Sequence, residues 1–308
     1  VSYAWADQTV RFWDPQTGRL VGWRSEATAP PPLELRPGLT LRITRPETYT
    51  IDVADVQTGR TLWHYNTSDH AERVVSPDGR FVAAIGKYGG TVVRILDAKT
   101  GDLVQKLEAH PGIIRGLSFS SDGRLLASAD GEGLIRIRDA STGRVRSTLV
   151  GHEGPVLVVA FGPDGTVLAS SGEDDTVRTW DVASATETLK LVGDREVHAL
   201  AFSADGSTLA SGGDDRSVTL WNLRSGKLSF SVEVPGWRGP PQGARTCCGS
   251  PVSMLRVSPS GQTVAVGCED GYAYLLETTS RRMTQVADGR GLLLHAMHFV
   301  DDTNWEWF

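Results

Sequence analysis

His152, Ser170 and Asp174 are the residue types of a nucleophilic triad, in which a histidine takes a hydroxyl proton and a carboxylate orients the histidine. Other chemistry is harder to assemble from this chain. Its seven histidines (His64, His70, His110, His152, His198, His295 and His298) stand apart without a CxxC or HxxxH pair, so no metal is expected. No Gly-rich signature of the P-loop or dinucleotide type occurs, so no cofactor is expected either. Gly86 to Gly90 reads as a strand turn. Three cysteines, Cys247, Cys248 and Cys268, make an odd number in a chain large enough to fold without staples, and reduced thiols are expected, with a strained vicinal Cys247–Cys248 bridge or a redox site as the alternative.

The elements that must position these residues follow from composition and periodicity. A chain of 308 residues with 40% hydrophobic and 22% charged residues can bury a large core. Net charge is −6, which supplies no basic field for phosphates or an anionic membrane, so nucleic acid and membrane are not expected partners. Only five of the 31 basic residues are lysines, and the arginines are spread along the chain without forming a stripe. No apolar run has the length of a membrane span, and no signal-peptide pattern opens the chain, which reads as soluble and cytoplasmic. The start at Val1 without methionine is compatible with a processed, trimmed or excised chain.

Internal repetition decides the fold class. DQTVRFWD (Asp7 to Asp14), DDTVRTWD (Asp174 to Asp181) and DRSVTLWN (Asp215 to Asn222) share a turn acid, alternating apolar residues, an aromatic and a polar stop. Stops fall at 14, 55, 97, 139, 181, 222 and 277, in steps of 41, 42, 42, 42, 41 and 55. A period of about 40–45 residues is that of four-stranded units. A second marker lies about 20 residues before each of five stops: VSPDG at Val75, FSSDG at Phe119, FGPDG at Phe161, FSADG at Phe202 and VSPSG at Val257. These are tight turns, expected between the first two strands. A third marker follows five of the stops, as in Thr100-Gly101 and Thr142-Gly143, and predicts the hairpin between the last two strands.

Turn, strand and Trp-Asp motifs recurring in this order resemble the WD40-repeat β-propeller over nearly the whole chain. The resemblance implies an all-β fold: one domain over 1–308, a seven-bladed β-propeller of four-stranded antiparallel sheets, with the closing blade shared between N- and C-terminal strands. Gly291 to Phe299 reads as an innermost strand without a stop, and Val1 to Asp14 as a stop without an innermost strand. The resemblance also gives His152, Ser170, Asp174 and Trp180 a structural role, a buried hydrogen-bond relay that locks a blade. Other blades depart from it. Arg138 stands for tryptophan beside His110, Ser128 and Glu132, and Asp194 for histidine beside Ser211, Asp215 and Trp221. Leu96 and Gly90 leave another blade to apolar packing.

Binding is expected on the face formed by the loops entering each innermost strand. The long step arises from a Pro- and Gly-rich loop, roughly Val234 to Ser250, that carries Trp237, Arg238 and Arg245. A second loop, Gly22 to Pro32, carries Trp23 and Arg24. Counting back four residues from each innermost-strand aromatic or its substitute gives His295, Pro31, Ala71, Arg115, Leu157, His198 and Ser253 as residues around a channel mouth. Arg115, His198 and His295 lend it a cationic, titratable character suited to an acidic or polar peptide. The expected function is a non-catalytic, monomeric scaffold for a protein or peptide partner. The alternatives are a regulatory or sensor domain of a larger protein and, behind it, a propeller enzyme or small-molecule binder.

Overall fold

A computed structural model describes the backbone of residues 2–4, 9–13, 20–25, 33–36, 39–44, 50–55, 61–66, 73–85, 90–193, 195–235, 251–269, 271–288, 297–299 and 305–307. Side chains are described in 62–64, 73–85, 90–193, 195–235, 251–269 and 271–286. Among these residues every regular element is a β-strand, and no helix is long and apolar enough to cross a membrane.

The first sheet has three strands, β1 (Ser2–Ala4), β2 (Thr9–Trp13) and β3 (Leu20–Ser25). Four sheets of four strands follow. They are β4 (Leu33–Arg36), β5 (Leu39–Thr44), β6 (Thr50–Asp55) and β7 (Thr61–Asn66); then β8 (Arg73–Val75), β9 (Phe81–Ile85), β10 (Val93–Asp97) and β11 (Leu103–Lys106). Next come β12 (Ile114–Phe119), β13 (Leu125–Asp130), β14 (Leu134–Asp139) and β15 (Val145–Val150). After them stand β16 (Val156–Phe161), β17 (Val167–Gly172), β18 (Thr176–Asp181) and β19 (Thr186–Val192). Two further four-stranded sheets are β20 (Val197–Phe202), β21 (Thr208–Gly213), β22 (Ser217–Asn222) and β23 (Lys227–Glu233), and β24 (Val252–Val257), β25 (Thr263–Cys268), β26 (Tyr272–Glu277) and β27 (Met283–Asp288). A last pair joins β28 (Met297–Phe299) to β29 (Trp305–Trp307). Within each sheet, strands neighbour in chain order and run antiparallel, and this repeated design fits a β-propeller.

The chain divides into two compact units, residues 30–193 and residues 1–29 with 194–308. Inside the first unit the opening strands of successive sheets, β8, β12 and β16, run side by side. Inside the second, β20 lies beside β24, β24 beside β28, and β29 beside β1.

Burial falls from the second strand to the fourth. Strands β9, β13, β17, β21 and β25 are almost wholly buried on both faces. Their Ala, Ser and Gly residues leave room for the neighbouring sheets. Fourth strands such as β15, β19 and β23 are largely exposed and carry Arg146, Lys190 and Lys227, charges that discourage edge-to-edge pairing. The sheet of β8–β11 shows no polar relay among the described residues. Its Leu96 packs with Val82, Ala84 and Ala98 instead, as apolar reliance requires.

The repeated turn motifs have direct chemical roles. After β12, Ser120 Oγ donates to Asp122 Oδ1 (2.6 Å) and accepts from Leu125 N–H (2.9 Å), while Gly123 takes a φ of 69°. The same arrangement recurs around Ser76 with Gly79 and Ser203 with Gly206. Four of the stop residues cap the next turn through a side-chain oxygen. Asp97 Oδ1 accepts from Lys99 and Thr100 N–H, Asp139 Oδ1 from Thr142 N–H, Asp181 Oδ1 from Ser184 N–H and Asn222 Oδ1 from Ser225 N–H. A short side chain with an acceptor oxygen is what that turn needs, which explains the polar stop.

One expected loop is in part a strand. Gly22 to Ser25 belong to β3, with Trp23 opposite Arg11 and Arg24 opposite Val10. The tryptophan suits a pleated surface, and the ladder to β2 satisfies backbone groups that a loop would leave to water.

Candidate functional site

Strands β17 and β18 and the segment before β16 bring His152, Ser170, Asp174 and Trp180 together. Trp180 Nε1–H donates to Ser170 Oγ at 2.8 Å, Ser170 Oγ meets His152 Nε2 at 2.7 Å, and His152 Nδ1 meets Asp174 Oδ1 at 2.9 Å. Donor and acceptor capacities set the direction of the chain. Indole can only donate and an ionised carboxylate can only accept, so His152 carries its proton on Nδ1 and the Ser170 hydroxyl donates to Nε2. Burial is the largest influence on His152 and lowers its pKa, against the pull of Asp174. Burial pushes Asp174 up, but hydrogen bonds from Thr176, His152 and the Glu153 N–H outweigh it and hold the carboxyl well below its usual range. Arg178 closes the network, donating to Thr176 Oγ1, Asp174 Oδ2 and Glu187 Oε2.

This set has the composition of a triad but not its accessibility. Ser170 is 0% exposed and its oxygen is already held by indole and imidazole. Gly172 belongs to the design, because a β-carbon there would lie 2.6 Å from His152 Nδ1 and 2.7 Å from Asp174 Oδ1.

The preceding sheet solves the same problem differently. His110 Nε2 meets Ser128 Oγ at 2.7 Å, but its Nδ1 meets Asp130 Oδ2 at 2.9 Å, so the carboxylate is Asp130 and not the expected Glu132. Asp130 occupies the strand position that Gly172 holds in the next sheet. Its side chain reaches the imidazole from the strand end and its Oδ1 also accepts from Glu132 and Leu134 N–H. Arg138 fills the tryptophan position, buried, donating to the Gly143 and Glu108 carbonyls, while its Nε has no hydrogen-bond partner. Burial lowers its pKa. In the β20–β23 sheet only the Trp221 Nε1–H to Ser211 Oγ link, 2.8 Å, remains among the described residues. Asp215 there turns to Ser217, and Asp194 lies outside the described residues.

Four of the expected channel-mouth residues share one structural position. Arg115, Leu157, His198 and Ser253 are each second in their strand, at a register shift between Ile114 and Gly116, Val156 and Val158, Val197 and Ala199, and Val252 and Met254. A bulged residue has no partner opposite it and its side chain is freed from the alternation of the strand. Arg115 is exposed and the other three are half-buried, each next to a buried residue. Trp237, Arg238, Arg245, His295, Pro31 and Ala71 lie outside the described residues, as do the side chains of Trp23 and Arg24.

One cluster escaped the sequence reading. Glu196 and Asp214 flank His198, and the three ligand-type atoms lie within 4.8 Å of one another. Spacing along the chain hid it, because the hairpin of β20 and β21 folds residue 214 back onto residue 198. An alternating Glu-x-His before an apolar strand was its one sequence signal.

Comparison with protein families matches residues 101–139, 143–181 and 186–222 to the WD40 model, described as WD domain, G-beta repeat. Comparison with curated proteins gives no match.

Proposed function

From a chain that carries consecutive WD40 repeats, we propose a non-catalytic platform that binds a protein or peptide partner at the end of the sheets where the first strands enter. WD40 repeats commonly mediate protein–protein interaction, and the partner-binding role follows from that habit together with one observation. The bulged second residue of the first strand is solvent-accessible in four sheets and differs in each: arginine, leucine, histidine and serine. Variable side chains at one equivalent position of a repeated sheet suit specific recognition without chemistry. The burial and prior engagement of Ser170 support the absence of hydrolytic activity.

The proposal includes seven blades, with the closing one shared between the two ends of the chain. Its support is the sequence period, the three strands of the β1–β3 sheet among the described residues, and the two-stranded β28–β29 with β29 beside β1.

Partner capture by the intact chain, followed by binding measured with the purified partner, tests the docking end. Arg115→Ala and Trp237→Ala weaken binding, whereas Leu228→Ala, an exposed residue of fourth strand β23, leaves it unchanged. Unchanged binding by both former variants rejects this end of the sheets. A fluorophosphonate probe that labelled Ser170 would reject the non-catalytic reading.

A further inference from the structure

Glu196, His198 and Asp214 place two carboxylates and an imidazole at one end of the β20–β21 hairpin. Their donor atoms lie within 4.8 Å of each other, with His198 Nε2 already 2.8 Å from Asp214 Oδ1. The backbone holds the three in place. Asp214 N–H donates to the Glu196 carbonyl at 3.0 Å, and Gly213 lacks the β-carbon that would strike that carbonyl. His198 sits on the bulge between Val197 and Ala199, which pair with Gly213 and Gly212, so its ring stands over the strand end that leads to Asp214. His198 and Glu196 are half-buried and Asp214 is exposed, leaving the cluster open to solvent on one side.

We propose that Glu196, His198 and Asp214 form a binding site for a single divalent transition-metal cation of the zinc type. Two carboxylates offset the charge of the ion, and imidazole nitrogen selects zinc-type metals over magnesium or calcium. Zinc–ligand bonds of about 2.0–2.2 Å require donors about 3.3 Å apart, a contraction that side-chain rotation supplies from the present spacing. The ion takes the place of the proton shared by His198 and Asp214. Binding therefore moves the remaining imidazole proton to Nδ1 or, from the imidazolium, releases one to solvent. Three protein donors leave at least one coordination position for water. The site does not depend on the partner-binding reading, and its test needs no partner.

Titration of the chelator-treated full chain with zinc chloride, followed by calorimetry, tests the assignment. One saturable site is expected, weakened about tenfold or more by each of His198→Ala, Asp214→Asn and Glu196→Gln. The thermal midpoint of each variant in chelator matches that of the parent, which separates ligand loss from misfolding. The Cys247→Ser/Cys248→Ser double variant retains the site, and cobalt substitution gives the weak bands of nitrogen and oxygen ligands without thiolate charge transfer. Absence of saturable binding, full affinity in His198→Ala, or loss in the double cysteine variant overturns the proposal.

Discussion

Replacing Ser170 by alanine removes one oxygen atom on which two buried groups depend. Trp180 Nε1–H loses its acceptor and His152 Nε2 loses its donor, while the apolar surroundings and the closed strand ladder keep water away from both. A buried polar group stranded in this way costs about 1–3 kcal/mol. Two such groups predict a loss of roughly 2–6 kcal/mol. Ser211→Ala supplies an internal control, because Ser211 stands at the same strand position and holds Trp221 Nε1–H but no described histidine. One stranded group predicts roughly 1–3 kcal/mol there. The assay is the urea midpoint by circular dichroism at unchanged slope, with both variants compared with the parent at pH 7.5. A Ser170→Ala penalty no larger than that of Ser211→Ala would refute the reasoning, since the histidine limb would then contribute nothing to stability.

Acidification is expected to destabilise the fold from near neutrality. Burial depresses His110 and His152 below the ordinary 6.5, so the unfolded chain takes up protons first. Stability is therefore fully present above that value and falls as pH drops toward the folded-state values, by about 1.4 kcal/mol per pH unit for each imidazole. Urea midpoints at pH 7.5 and 5.5 measure it, and equal midpoints would contradict it. Gly133→Ala should cost more than about 1 kcal/mol, because its φ is 83° and a β-carbon would lie 2.8 Å from the His152 carbonyl oxygen. Asp175→Gly should instead stabilise by about 0.5 kcal/mol, since Asp175 is exposed at a φ of 55°. Both show in thermal midpoints, and shifts of the same sign would defeat the turn argument. Arg138→Met should be neutral or stabilising, as it replaces a buried guanidinium with an unpartnered Nε by an apolar chain of similar reach. A fall of several degrees in the thermal midpoint would show that the two carbonyl bonds of Arg138 outweigh its burial.

Much of the framework was legible because it depends on local chemistry. A stop acid must cap the following turn, so Asp97, Asp139, Asp181 and Asn222 stand at their strand ends as their spacing indicates. Gly79, Gly123 and Gly206 adopt positive φ for the same local reason. The relay partner Asp174 was legible because it stands where the repeat motif places its turn acid, in DDTVRTWD. The partner of His110 was misread because Glu132 aligns with Asp174, whereas Asp130, at the position of Gly172, is the carboxylate that reaches the imidazole. The Glu196–His198–Asp214 cluster was illegible for a related reason: it depends on which side chain a bulge turns outward. Gly22 to Ser25 were misread because a tryptophan and arginine after glycine look like loop chemistry until a partner strand is supplied.

The bulge at the second residue of β12, β16, β20 and β24 also separates two kinds of evolutionary change. The position before it, Ile114, Val156, Val197 or Val252, is buried and tightly packed, so replacement there is punished by instability. At the bulge itself, arginine, leucine, histidine and serine already occupy the same position of four like sheets. Under the proposed partner-binding reading, recognition can be rewritten one repeat at a time while the scaffold stays intact, and duplication of a repeat adds a new, independently adjustable contact.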